Sequence, residues 1–196
     1  MTDAGRRKGL RAVAVIAVVL LSLAGGLVYR KFAENAKKAE YPRKYEAIAS
    51  REAELACIPE SAVYAVMKTV SDFDPAFSSK DGRSGLFGLT PELFSALASE
   101  KGESTDPRLL YDPEVSIGFG CFWFGQLYRE YRSWEAVFTC YAAGREAVER
   151  QITEDGGFDP SKYPSDVAAL AKKLGQAMKT YEKLYPETGD ETGDGR

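Results

Sequence analysis

Two stretches decide how this 196-residue chain is read: Thr69-Val70-Ser71-Asp72-Phe73-Asp74-Pro75 and, six residues further on, Gly82-Arg83-Ser84-Gly85-Leu86-Phe87-Gly88-Leu89-Thr90-Pro91. The first closes a strongly apolar helical run containing Val63, Ala65, Val66, Met67 and Val70. Asp74-Pro75 is expected to stop that helix, because a residue before proline is pushed out of the helical region. The second belongs to a loop, 78–88, of Ser, Lys, Asp and Gly, in which Gly82, Gly85 and Gly88 mark tight or left-handed backbone. It hands over to a new helix at Thr90-Pro91, with Thr90 as cap and proline in the first turn.

Outward from these stretches the apolar spacing is helical almost everywhere after Pro42, and nothing of length alternates with period two, so the fold class is mainly α. Upstream, Tyr45, Ile48, Ala49, Leu55 and Ala56 share a helical face that Glu52 interrupts and that ends near Cys57; Pro59 then opens the next helix. Downstream, helices are expected over 91–100 and 113–131. The longer one turns Val115, Phe119, Phe122, Trp123, Leu127 and Tyr131 inward and is apolar on nearly every side from Ile117 to Phe124, as a central buried helix is. Shorter helices follow over 134–141 and 145–152, parted by Gly144. Ser165 reads as the cap of a last amphipathic helix with Val167, Leu170, Leu174, Met178, Tyr181 and Tyr185 on one face. Residues 187–196 are acidic, repeat Glu-Thr-Gly-Asp, and are expected to be a disordered tail.

Composition narrows the chemistry. The chain has 26 Lys+Arg, 29 Asp+Glu, 3 Cys and no His. Without histidine, Ser-His-Asp, Cys-His and His-zinc chemistry are excluded, and catalysis is left to carboxylates, Lys, Tyr or Cys. A net charge of −3 offers no basic field for nucleic acid, and 44% hydrophobic with 12% aromatic residues is too rich for a disordered protein.

The average hides an asymmetric N-terminus. Residues 12–29 contain only Ser22 as an ordinary polar side chain. At about 1.5 Å per residue they reach ~27 Å, enough to cross a hydrocarbon core of roughly 30 Å. The preceding segment 1–11 carries +3 and the following linker 30–42 carries +2 in a chain that totals −3, so residues 43–196 carry −8. The heavier basic flank favours a basic cytoplasmic tail (1–11), a single-pass anchor (12–29) and an exported domain (43–186). A cleaved signal peptide is the alternative, with Leu21-Ser22-Leu23-Ala24 near the cut. Cys57, Cys121 and Cys140 all fall in the exported part. They read as three small buried apolar residues. One disulfide plus a free thiol stays open, and spacings without a C-x-x-C turn argue against a metal.

The order and wording of these pieces resemble the soluble lytic transglycosylase (SLT) domain, a goose-lysozyme-like family that cleaves peptidoglycan. The resemblance runs from Tyr41-Pro42-Arg43-Lys44-Tyr45 through Ile58-Pro59 and Val63-Tyr64-Ala65-Val66-Met67 to about Ile152. Thr69 to Pro75 is similar to the family's Glu-Ser-x-Phe-x-Pro, and Gly82 to Pro91 to Gly-Ala-x-Gly-Leu-Met-Gln-x-Met-Pro. Leu110-Tyr111-Asp112-Pro113 with Ile117-Gly118-Phe119-Gly120 matches the family's opening of its long helix, and Tyr141-Ala142-Ala143-Gly144 matches Tyr-Asn-Ala-Gly. The resemblance implies a lysozyme-like helical domain, no cofactor, and peptidoglycan glycan strands and wall-synthesis or wall-hydrolysis proteins as partners.

It also implies a substrate cleft along Ser71, Phe87, Gly88, Tyr141 and Ala142, with the Glu of the Glu-Ser-x-Phe-x-Pro motif as the single acid. Here that position is Val70, which can neither give nor take a proton, a contribution typically worth ~10²- to 10⁴-fold. Gly88 stands for the family's Gln and Ala142 for its Asn, so three signature positions have lost their polar groups together. Substitute acids would be Asp72, Asp74 or Asp81. Asp72 lies about 200° around a helix from Val70, and the ordinary reading of Asp72 and Asp74 is a solvated helix end and a turn starter. Phe73 reads as core as readily as cleft, Phe87 and Tyr141 as cleft lining or core, and Trp123 and Trp134 as core. The expected function is a membrane-anchored, extracytoplasmic, catalytically inactive transglycosylase-like protein. The competing expectations are an active enzyme with a displaced acid and a purely structural protein-protein module.

Overall fold

A computed structural model describes residues 3–186, with side chains at 20 and from 22 onward. The chain divides into two compact units, Met1–Pro42 and Arg43–Arg196. The first is a single helix, α1 (Asp3–Glu40). Residues 30–40, read as a linker, continue this helix. Their Ala, Glu and Lys are strong helix formers, and Glu34 pairs with Lys38 one turn on at 3.0 Å. Among the described residues no helix is long and apolar enough to cross a membrane. Half of the side chains of the apolar run, 12–19 and 21, lie outside those residues, as do the side chains of the 1–11 segment and the whole 187–196 tail.

The second unit is mainly α: α2 (Glu46–Ala56), α3 (Glu60–Val70), α4 (Pro91–Lys101), a 3-10 turn (Pro107–Tyr111), α5 (Pro113–Tyr131), α6 (Trp134–Ala143), α7 (Arg145–Asp155), a second 3-10 turn (Pro160–Lys162) and α8 (Ser165–Leu184). Isolated bridges of Ser84 with Ser78 and Leu89 are the extended pairings among the described residues. Helix starts follow the local chemistry. Thr90 accepts from Leu93 N, Asp112 from Glu114 N and Val115 N, and Ser133 from Ala136 N, each satisfying a first-turn N–H that has no helical partner. At α8 the expectation of a Ser165 cap fails: Ser165 is the first helical residue, behind Pro164, with no side-chain cap bond.

The core gathers around α5, which packs on α2 and α6, while α8 closes over α3 and α6. Ile117, Phe119, Trp123, Phe124 and Leu127 of α5 are buried together with Phe94, Phe138 and Tyr141. On α2 the buried seam is Ala49 and Ala53, and Leu55, placed on the inward face by its spacing, is 73% exposed. Small residues win there because the α2 backbone lies directly on α5. The cysteines are all free. Cys121 and Cys140 are buried as expected, whereas Cys57, the left-handed residue (φ 55) just past α2, is exposed.

Candidate functional site

The end of α3 departs from the sequence reading. The helix stops at Val70, not at Asp74, and Asp72 and Phe73 both take positive φ (48° and 64°), a strained conformation for residues with a Cβ. Ser71 is buried, and its hydroxyl lies 2.9 Å from both Met67 O and Leu86 O, so it ties the helix end to the glycine loop. The loop residues Ser84–Leu89 are themselves buried. Their backbone is satisfied by reciprocal Ser84–Leu89 bonds, by Phe87 N donating to Ser116 Oγ at 3.1 Å, and by the Tyr141 hydroxyl.

Tyr141 is 2% exposed, and its O–H reaches Phe87 O (3.0 Å) and Gly88 O (3.2 Å). Burial pushes this phenol up to about 12, opposed by the nearby Arg83 charge. Arg83 covers the ring, with its guanidinium 4.6 Å from the centroid, donates to Tyr141 O at 3.0 Å, and is held by Asp81 at 3.0 Å. Gly88, at φ +60, sits against the end of α3: a Cβ there would meet Val70 Cγ1 at 2.5 Å and the Tyr141 hydroxyl at 2.8 Å. Only glycine fits position 88 beside this valine.

Gly88 also lines a cleft of about 590 Å³. Its walls come from Arg83 and Gly88 of the loop, Leu93 and Leu97 of α4, Trp123 and Gln126 of α5, and the end of α6 from Tyr141 to Ala143 with Gly144. Three glutamates from separate places also line it: Glu92 and Glu100 at the two ends of α4, and Glu146 at the start of α7. Sequence reasoning singled out none of these. No local motif marks them, since their convergence depends on how α4 and α7 pack.

Of the residues expected along the cleft, Gly88, Tyr141 and Ala142 do line it. Ser71 does not line it and is bonded to the backbone of Met67 and Leu86. Phe87 is wholly buried: its ring is seated on Gly120 of α5, where a Cβ would stand 2.2 Å away, and it meets Phe124 edge-on at 5.1 Å. Phe73 is core (3% exposed), and Trp123 is buried with one edge in the cleft wall. The three aspartates are engaged elsewhere. Asp72 is exposed and pairs with Lys68 at 2.5 Å, which holds its carboxyl below the usual carboxylate range. Asp74 accepts from Ala76 N in its own turn at 2.9 Å. Asp81, also exposed, accepts from Ser79 and Arg83, which lower its carboxyl. Among the described residues no three His, Cys, Asp or Glu side chains stand close enough to hold a metal. The cleft can therefore offer apolar faces, hydrogen-bonding groups and three carboxylates, and one of its lining residues, Gly88, stands against the hydrocarbon of Val70.

Solved structures share this arrangement of helices. They include the 70 kDa soluble lytic transglycosylase SLT70 from Escherichia coli (TM-score 0.69, 20% identity, covering 76% of this chain and 25% of that one). The complex of the 70-kDa soluble lytic transglycosylase with bulgecin A is similar (0.70, 20%, 77% and 26%). An inactive glutamate-to-glutamine mutant of the lytic transglycosylase Slt from Pseudomonas aeruginosa is a third (0.62, 18%, 74% and 25%). The likeness shows a lysozyme-like lytic transglycosylase fold, and the chain spans about a quarter of the length of these proteins. No curated protein matches the chain. The family model "Transglycosylase SLT domain" matches residues 48–164, which is more than half of the sequence and holds α3 to α7 and the cleft, and the chain belongs to that family.

Proposed function

We propose that this chain is a lytic-transglycosylase-like protein of peptidoglycan metabolism, anchored in a bacterial cytoplasmic membrane by residues 12–29 with residues 43–186 outside. On this reading it does not cleave glycan; it holds glycan strands or organises wall-synthesis and wall-hydrolysis proteins. The observation that carries the reading is the contact of Val70 with Gly88. The family's chemistry needs one carboxyl group that gives and then takes back a proton, and the inactive Pseudomonas relative is a glutamate mutant. Here a valine methyl fills the place to which the resemblance assigns that group, and the neighbouring position has no room for the side chain that would accompany it. The anchor rests on the apolar run and its basic flank.

A displaced acid is the second reading, favoured by the glutamates of the cleft rather than by Asp72, Asp74 or Asp81. Glu92, Glu100 and Glu146 are all exposed, whereas a general acid for glycosidic oxygen is usually set in an apolar pocket that keeps it protonated. Two properties test the proposal together. Full-length protein is expected in the membrane fraction, with a C-terminal tag accessible from outside protoplasts. In detergent it is expected to co-sediment with purified sacculi while leaving their mass unchanged. A shortened soluble form would remove the anchor, and solubilised wall material would restore the enzyme.

A further inference from the structure

The start of α3 and the end of α8 line a second cavity, of about 500 Å³, that shares no lining residue with the cleft. Arg43 and the α8 side chains in its wall, Tyr181, Glu182 and Tyr185, also lie outside the residues 48–164 that the family model matches. Tyr64, 1% exposed, stacks on Tyr181 (5.2 Å, 27°), and Tyr181 stacks on Tyr185 (6.1 Å, 24°). The Arg43 guanidinium stands over the Tyr64 and Tyr185 rings, 5.4 and 5.5 Å from their centroids. With its ring covered in this way, Tyr64 brings its hydroxyl to the cavity. Two buried atoms in this wall, the Tyr64 hydroxyl and Arg43 Nε, have no hydrogen-bond partner among the described residues. A native fold seldom leaves a buried donor unpaired, so the two mark a place where an acceptor from outside belongs.

The charges around that gap choose the acceptor. Arg43 is already paired with Glu46 (3.1 Å) and Glu60, and Glu182, which accepts from Ser61 Oγ at 3.5 Å, adds a third carboxylate. A ligand carboxylate or phosphate would face all three, so the missing acceptor is an uncharged oxygen. We infer that this cavity is a second glycan site that takes a neutral sugar, with Tyr64 O–H and Arg43 Nε–H donating to a hydroxyl, ring or acetamide oxygen. The sugar's own hydroxyls donate to Glu60 and Glu182, and its apolar face rests on Tyr185, Pro59 and Pro186, which line the same space. A sugar ring brings several such donors at once, where an extended peptide brings one N–H per residue. The cavity volume falls in the usual range for small-ligand sites, roughly 300 to 1,000 Å³.

The test labels the full-length protein in detergent with an N-acetylglucosamine tetramer carrying a diazirine at its reducing end, and maps the cross-links by mass spectrometry. Cross-links are expected on peptides from 43–64 and 181–186. Tyr64→Phe is expected to reduce that labelling about fivefold, the worth of one hydrogen bond, without lowering the unfolding midpoint, because the fold gives the hydroxyl no partner. Tyr185→Ala, at a half-buried position, is expected to reduce it at least as much. A midpoint that falls together with the labelling in Tyr64→Phe overturns the proposal, since the hydroxyl would then serve the fold. So does labelling at the site that neither variant changes. Cross-links confined to the cleft walls overturn the second site and leave glycan holding in the cleft intact, whereas no cross-link anywhere overturns both. An oligosaccharide of uronic acids, or a proline-rich peptide, that displaces the label as well as unlabelled tetramer does overturns the assignment to a neutral sugar.

Discussion

Val70 and Gly88 are shaped to each other: the valine's Cγ1 would lie 2.5 Å from any Cβ added to the glycine, and the glycine's backbone stands at φ +60. Gly88→Ala is expected to destabilise the fold by about 2–4 kcal/mol, combining left-handed strain with overpacking. Val70→Ala in the same chain is expected to recover about 1 kcal/mol of that loss, because contacting residues do not add independently. Denaturant midpoints of the two single variants and the double variant measure the coupling. Simple additivity would mean that the two residues do not press on one another.

Tyr141 gives the fold an alkaline limit. Its phenol is shifted from 10.0 up to about 12 by burial. A raised pKa in the folded state means stability that is complete below pH 10 and is lost between about 10 and 12, at most about 2–3 kcal/mol. Tyr141→Phe is expected to cost about 1–2 kcal/mol near neutral pH, since Phe87 O and Gly88 O lose their donor, and to remove this part of the alkaline loss. Unfolding midpoints from pH 8 to 12 separate the two effects. A parallel fall in both proteins would count against the buried phenol.

Helix boundaries set by neighbouring residues were legible in the sequence. Pro113 and Tyr131 bound α5 as read, and Thr90 caps α4. What depended on distant partners was not legible. Phe87 looked like a cleft residue from its place in a motif, yet Gly120, on a helix that begins 26 residues later, makes its seat. The end of α3 looked like Asp74 from the proline, yet the Ser71 hydroxyl and the carbonyl of Leu86 end it four residues earlier. Gly88, Tyr141 and Ala142 were legible as one site because a family resemblance carries tertiary information that periodicity lacks. The three cleft glutamates belong to no such motif and emerged only when α4 and α7 were placed.

Arg83 ties the loop to Tyr141 through a backbone bond, a ring face and Asp81 at once. Arg83→Ala is expected to cost about 1–2 kcal/mol, and Arg83→Lys to recover less than half, because an ammonium lacks the planar fork that makes these contacts together. Thermal unfolding of the three proteins decides this. Full recovery by lysine would reduce the role of Arg83 to its charge.

Thiol chemistry checks the packing around α5. Cys140 is pushed up to about 12 and Cys121 is also raised, both mainly by burial, whereas Cys57 is exposed. A thiol reagent at neutral pH is expected to modify one cysteine per native chain, Cys57, and three in denaturant. Rapid native modification of two or three would show that α5 and α6 are more open than described.

The central claim is that the proton-transfer group is gone, and the most direct test is the product of the reaction itself. Full-length protein in detergent is incubated with purified peptidoglycan, and the soluble fraction is read by mass spectrometry for anhydromuropeptides. None above the protein-free blank is expected, and none from Val70→Glu alone, since a carboxyl group placed there lacks its polar neighbours and a positioned substrate. Anhydromuropeptides accumulating with the unaltered protein would contradict the account and move the acid to the glutamates of the cleft.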